Sequence, residues 1–242
     1  MNSNSKYAVL MTSAINTKFG VYNADQRFHQ TLNTIQTVRS KIHNCTIFLL
    51  ESAGQPLTEE QKNQLTDKVE HILDFTSDSA VTGLYNSTNN WDVVKNVTEV
   101  MCFILALRTL TDSGQLNDFD RVFKISGRYA LNDNFDINYY ESYKIKPFAV
   151  IRQRKPSHFP AGLTGVDYQF MTRLWSWPTS MNNEILEVYQ NSLNYMYEKL
   201  AQGRYADIEH CFYKFLNHDK LIEKDVIGIQ GFIGPNGVAV NE

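Results

Sequence analysis

The run Tyr7-Ala8-Val9-Leu10-Met11-Thr12 decides the fold. It is short, apolar and bounded by polar residues, which predicts a buried strand. A polar loop follows, over residues 13–23. Phe28, Leu32, Ile35, Val38 and Ile42 then recur at spacings of three and four, one face of a helix. Residues 45–50 repeat the apolar run and end at Glu51 and Ser52. Thr58 with Gln61 three residues on matches a capping box, opening a helix with Leu65, Val69, Ile72 and Leu73 on its apolar face. A short, weak strand is expected near residues 72–76, and the Ser-, Asn- and Thr-rich stretch 77–90 reads as a loop. Residues 91–111 are helical in pattern, with Gly114 suited to the end, and residues 121–125 alternate as a strand. Strand–helix alternation over roughly half the chain predicts a parallel sheet with crossover helices.

Beyond that point the pattern changes. Residues 147–152 read as a strand. A loop with Pro156, Pro160, Gly162 and Gly165 leads to an aromatic segment, 168–177, closed by Pro178. Helices are expected over 182–200 and 206–216. The tail, 226–240, has a strand–turn–strand pattern with Pro235, Asn236 and Gly237 at the turn. The expected fold class is α/β: a mainly parallel, Rossmann-like sheet flanked by helices, with a helical and β-hairpin C-terminal part. No repeat or linker divides the 242 residues, so a single domain is expected.

The net charge of −3 and the lack of a long basic run exclude a broad nucleic-acid footprint. The densest basic stretch, Arg152, Arg154 and Lys155, leaves room for a local anion site. Cys45, Cys102 and Cys211 are odd in number and widely spaced, which points to free thiols in a reducing compartment. Residues 1–6 lack the apolar stretch of a signal peptide, and no run reaches the length of a membrane span. A cytoplasmic protein is expected, and the sequons at Asn44, Asn86 and Asn96 are then chance matches.

In an open α/β sheet, ligands bind beyond the carboxyl ends of the strands. That rule selects Thr12 and Ser13 past the first strand, where small residues and hydroxyls admit a nucleotide, and Glu51 past the second, where an acid takes ribose hydroxyls or a base edge. It also selects Phe123-Lys124-Ile125-Ser126-Gly127-Arg128-Tyr129. There a strand runs into a Ser-Gly turn bracketed by cations, and Gly127 lets a ligand approach the backbone. Arg128 can grip phosphate oxygens in bidentate fashion, and fixed cations stabilise a departing diphosphate. Lys95 or Asn96, on the helix that also carries Glu99, and Arg27 and Gln30 on the first helix, could reach the same nucleotide. Asp133 and Asp136 could hold a divalent cation through carboxylate oxygens, or belong to a plain turn. Glu209 is the candidate general base, with His210 second.

The first strand with its small polar exit, the helix Arg27-Phe28-His29-Gln30-Thr31-Leu32-Asn33-Thr34-Ile35 and the strand 46–51 resemble the nucleotide-binding half of GT-A-type glycosyltransferases. Lys124 to Tyr129 resembles a K-[IL]-[ST]-G-R-Y signature of glycosyltransferase-like proteins of bacteria and large or marine viruses. Glu209-His210 followed by Gly228-Ile229-Gln230-Gly231 resembles their C-terminal portion. The resemblance implies a nucleotide-binding half over 1–130, an acceptor-binding half over 131–242, and a location in the cytoplasm of a cell or viral host. GT-A enzymes usually carry an Asp-x-Asp metal motif at the end of the fourth core strand, where this chain has Ser126-Gly127-Arg128. If Lys124 and Arg128 replace the metal, the reaction is metal-independent. If Asp133 and Asp136 are the displaced motif, Mg²⁺ or Mn²⁺ is required.

The expected activity is transfer of a sugar from a nucleotide-sugar donor to a hydroxyl of a glycan or lipid-linked acceptor. The aromatic segment 168–177 would shape the acceptor cleft. A non-catalytic nucleotide- or glycan-binding protein, another Rossmann-like transferase such as a methyltransferase, and a structural or assembly protein stand as alternatives. The absence of G-x-G-x-x-G after the first strand weighs against dinucleotide use.

Overall fold

The computed structural model describes residues 5–143, 146–234 and 236–242. Residues 1–4 and Pro235, to which the leader and turn readings partly refer, lie outside the described residues. In chain order the elements are β1 (Tyr7–Ser13), α1 (Ala24–Lys41), β2 (Cys45–Glu51), α2 (Glu59–Thr66), β3 (His71–Asp74), α3 (Ser79–Ser87) and α4 (Trp91–Asp112). Then come β4 (Arg121–Ser126), β5 (Tyr129–Leu131), α5 (Ile137–Glu141), β6 (Ala149–Arg152), β7 (Lys155–Pro156), α6 (Ala161–Thr164) and β8 (Tyr168–Gln169). The chain ends with β9 (Leu174–Pro178), α7 (Asn182–Ala201), α8 (Ile208–Phe215), β10 (Leu221–Lys224), β11 (Ile229–Phe232) and β12 (Ala239–Asn241).

A seven-stranded sheet in the order β10-β6-β9-β4-β1-β2-β3 forms the centre. Strands β1, β2, β3 and β4 run parallel, as their alternation with helices predicts. β1 is buried along its whole length because both faces of the sheet are covered. Its side chains divide by the period of two. Ala8 and Leu10 join Phe103, Leu107, Trp175, Trp177 and Phe212 under α4, α7 and α8. Tyr7, Val9 and Met11 join Phe28, Ile35, Val38 and Leu49 under α1.

Helix starts follow their caps. Both α1 (Asn23 with Gln26) and α2 (Thr58 with Gln61) open with full capping boxes. The structure corrects the reading of 77–90 as a loop. Asp78 caps α3 by accepting from Ala80 N and Val81 N, and Val81 and Tyr85 bury its inner face. The mostly uncharged Ser/Asn/Thr composition masked a helix that tertiary packing holds in place.

β9 is the exception to the parallel sheet. The chain leaves β6 at Arg152, loops through β7, α6 and β8 above the carboxyl end of the sheet, and enters β9 from that end. β9 therefore lies antiparallel to both β4 and β6. A small antiparallel sheet, β12-β11-β5, packs beside it. From β1 the chain passes to β2 and then β3 on one side, and it crosses back through α4 to place β4 on the other side of β1, so the strand order reverses there and a crevice opens between the carboxyl ends of β1 and β4. Among the described residues, no helix is long and apolar enough to cross a membrane.

Candidate functional site

The crevice is a cleft of about 760 Å³, its open mouth included. Thr12 and Ser13 from β1, Ser126 at the end of β4 and Gly127 just after it line its floor. Gly127 N donates to Thr12 O at 2.8 Å, tying the two strand ends together. A Cβ on Gly127 would stand 3.2 Å from both Thr12 O and Thr31 Oγ1. The glycine thus lets the turn pack against α1 as well as exposing backbone to the cleft. The walls come from α1, α4, the loop after β1 and the β11–β12 hairpin, whose Gly234 reaches the rim.

Three cations line these walls: Arg27 on α1, Lys95 on α4 and Arg128 after β4. Among the described residues none of them has a carboxylate within 4.0 Å. Arg27 is held by the loop it faces, its Nε donating to Tyr22 O at 3.1 Å and its Nη2 to Phe19 O at 2.8 Å. Burial, and then the nearby Arg128, bring its guanidinium down to about 10, still charged at neutral pH. Gly20 makes this close approach feasible. It adopts φ +90, and a Cβ there would sit 2.5 Å from Arg27 Nη2. Arg128 lies over the Tyr129 ring, 5.8 Å from its centroid, and against Gly234, where a Cβ would stand 3.3 Å from Cζ. Its Nε is buried and has no hydrogen-bond partner. An orphaned guanidinium N–H beside a second unpaired guanidinium leaves a strong demand for an anion.

Other expected site residues take different roles. Lys124 is 2% exposed, and its ammonium donates to Glu99 Oε1 (2.9 Å), Ser126 Oγ (2.9 Å) and Thr172 O (3.1 Å). An ammonium has three N–H groups, so none remains for a diphosphate. The structure therefore corrects the expected role of Lys124: it braces the floor. Glu51 is likewise corrected. It is fully buried, and its carboxylate accepts from Ser13 Oγ (2.5 Å), Ile15 N (3.0 Å) and Ala53 N (3.0 Å). It latches the exits of β1 and β2 beneath the wall and presents no oxygen to a ribose. Burial, opposed by those hydrogen bonds, pushes its carboxyl up to about 7. Asp133 and Asp136 do not line the cleft. Asp133 is fully exposed and pairs with Lys41 at 2.8 Å, while Asp136 caps α5 through Asn138 N at 2.9 Å. Their contacts are those of a turn, and they do not fit a metal bridging a diphosphate in the cleft. Among the described residues no three His, Cys, Asp or Glu side chains gather as a metal site.

Glu99 is the carboxylate that lines the cleft. Its Oε1 takes Lys124 and, at 3.3 Å, the Thr12 hydroxyl, and its Oε2 makes no hydrogen bond among the described residues. Burial would raise it, but the Lys124 ammonium holds it down at about 2. The signal for it was in the sequence. Asp92, Lys95, Asn96 and Glu99 stand at offsets of zero, three, four and seven, a polar stripe on an otherwise apolar helix. Trp91 begins the same helix and sits 45% exposed at the cleft.

Glu209 lies one residue behind the floor. Its Oε1 accepts from Thr172 Oγ1 at 3.1 Å, and Thr172 O accepts from Lys124. Burial and the neighbouring Asp207 push its carboxyl up to about 7, against the pull of Lys95. His210 is fully buried, with Nδ1 2.5 Å from Asp207 Oδ1 and Nε2 2.8 Å from Ser157 Oγ. Both ring nitrogens are taken, so His210 clamps the loop after β7 to α8, and the expectation of it as an alternative base is corrected.

No protein-family model matches the chain, and no curated protein matches it. Among solved structures it is similar to core-mannan synthase A from Aspergillus fumigatus in its Mn/GDP form. The identity is 9% and the TM-score 0.49, over 95% of this chain and 75% of that one.

Proposed function

We propose that the protein transfers a sugar from a nucleotide-sugar donor to a hydroxyl acceptor. The observation that carries this reading is the convergence of Arg27 and Arg128 on the cleft at the carboxyl ends of β1 and β4, with no carboxylate paired to either and no partner for Arg128 Nε among the described residues. A diphosphate satisfies those donors. As the bond from the anomeric carbon to the diphosphate oxygen breaks, negative charge grows on that oxygen, and the two guanidiniums with Lys95 are already aimed at it. The acceptor hydroxyl gives its proton to Glu209, one residue behind the floor, by way of the Thr172 hydroxyl that donates to it; burial and Asp207 raise the Glu209 carboxyl, which favours its taking that proton at neutral pH. The new bond then joins the acceptor oxygen to the anomeric carbon. Glu99, anionic throughout, offers its free Oε2 to hydroxyl groups in the cleft. The uncharged aromatic lining of Phe19, Tyr85 and Trp91 suits the flat faces of a base or sugar.

The test is the thermal shift of the purified protein with UDP, GDP, CMP and dTDP, each with and without Mn²⁺. Binding to the folded state raises the melting temperature, by roughly 2.7 kcal/mol of stabilisation at a hundredfold excess over Kd. A shift with one nucleotide supports the donor reading and names its class. No shift with any of them overturns it.

A further inference from the structure

Arg152, Arg154 and Lys155 form the densest basic stretch of the sequence, and the donor cleft does not use them. Arg154 is accounted for by Glu223, which accepts from its backbone N and its guanidinium. Arg152 meets Arg173 at a shared carboxylate, and Lys155 lies within the electrostatic reach of both. Arg152 Nη1 and Arg173 Nη1 donate to the same oxygen, Glu242 Oε1, at 3.2 and 2.8 Å. Arg173 Nε also donates to the Tyr129 hydroxyl at 3.2 Å. Lys155 is half-buried at the start of β7, where its backbone pairs with β8, and its ammonium makes no hydrogen bond or ion pair among the described residues. Burial lowers its ammonium below the usual lysine value, and the charges of Arg173 and Arg152 add to that, opposed by Glu242 and Glu209.

Glu242, and Glu209 at longer range, thus answer three cations. The cluster also contains a buried guanidinium N–H, Arg152 Nε, without a hydrogen-bond partner among the described residues. An excess of positive charge in a half-buried place is costly unless an anion offsets it. The position is informative. Arg173 and Arg128 both lie near the Tyr129 ring, 5.6 and 5.8 Å from its centroid. The cluster is therefore one aromatic ring from the donor cleft, and both Lys155 and Arg173 feel the charge of Glu209.

We propose that Arg152, Lys155 and Arg173 form a second oxyanion site, which holds an acidic group of the acceptor, a carboxylate or a phosphate monoester. The link to an acceptor rests on the glycosyltransferase reading; the oxyanion site does not. Glu209 acts electrostatically on Lys155 and Arg173 and is itself acted on by Lys95 and Glu99 of the cleft, so an acceptor anchored at this site would bring its hydroxyl toward Glu209. Lys155 supplies the free ammonium, and the two guanidiniums, already fixed by Glu242, supply preorganised positive charge.

The experiment is calorimetric titration of the full chain with inorganic phosphate and with glucuronate, glucose serving as the neutral control. It is run on the wild type, Arg128→Ala, Lys155→Ala and the double variant. Arg128→Ala disables the donor cleft and is expected to keep oxyanion binding; adding Lys155→Ala should weaken that binding tenfold or more. Whichever of phosphate and glucuronate binds more tightly names the acidic group. Lys155→Gln, which keeps a polar end on a shorter stem but removes the charge, should behave as Lys155→Ala does, with an unchanged melting temperature. Phosphate binding abolished by Arg128→Ala and untouched by Lys155→Ala overturns the proposal, as does equal binding of glucose or no oxyanion binding at all. The nucleotide thermal shift should persist in Lys155→Ala, so failure here leaves the transferase reading standing, and loss of that shift in the wild type fails the transferase reading alone.

Discussion

The floor and the wall of the cleft use the same kinds of residue to opposite ends. On the floor, Lys124 is enclosed and spends every N–H on Glu99, Ser126 and Thr172. On the wall, Arg128 lies a single turn further along the chain, and its buried Nε has no hydrogen-bond partner among the described residues. Lys124 is satisfied by the protein and stabilises it; Arg128 is not, and waits for something from outside. The acids divide likewise: Glu51 is locked among three donors, while Glu99 keeps an oxygen free. A charged group near a crevice is thus judged by how much of its hydrogen-bonding capacity the fold has already consumed.

Exchange of the two cations tests this division. Lys124→Ala should be the most damaging change to stability, because it strands Glu99 against the sheet. Removing one partner of a buried pair costs roughly 3–5 kcal/mol, and partial exposure of Glu99 places the expectation at the lower end, about 3 kcal/mol. Thermal melting would read this as a fall of roughly 6–12 °C. A drop of only a degree would show that the ammonium is not the brace described.

Arg128→Ala should do the reverse. It should leave melting nearly unchanged and reduce kcat by roughly 10²–10³-fold, the loss typical of a group aimed at developing negative charge. Turnover with the preferred donor, once the thermal shift has named it, supplies the measurement. Unaltered kcat, or a collapse of the fold, would erase the distinction between wall and floor.

The smallest effect concerns Glu51. Its folded value, about 7, lies above the ordinary carboxyl value of 4.5. The folded state therefore holds a proton more tightly than the unfolded chain does. The stability that this contributes is fully present below the unfolded value and is lost as pH rises through 7. Glu209 adds to the same slope, whereas Glu99, held near 2, acts only under strong acid. Melting temperature should decline modestly from pH 5 to pH 7.5, and Glu51→Gln should flatten part of that decline. A rise over this window would mean that Glu51 is not the buried, cation-free latch described.

Much of the fold could be read from local pattern. The apolar runs at β1 and β2, the spacing on α1 and the Thr58–Gln61 box are contained within a few neighbouring residues. The reversed direction of β9 could not be read, because it depends on where the excursion through β7 and β8 re-enters the sheet. The site divides along the same line. Thr12, Ser13, Gly127 and Arg128 follow from their places at strand ends. The role of Lys124 depends on Glu99, 25 residues earlier, and Thr172, 48 residues later, and no local window contains that pairing. Glu51 misled for the same reason: its donors Ser13 and Ile15 come from another strand exit.

The chain has three tryptophans, and they are unequally placed. Trp175 and Trp177 are sealed in the core and stacked on one another at 4.4 Å, whereas Trp91 stands half in water at the cleft. The molecule therefore carries its own optical reporter. Emission from the inner pair comes from an apolar environment and should sit to the blue, insensitive to what enters the cleft. Emission from Trp91 should sit to the red and dim or shift when a ligand covers the ring. Occupancy of the cleft can then be followed in real time, without a label and without knowing the reaction.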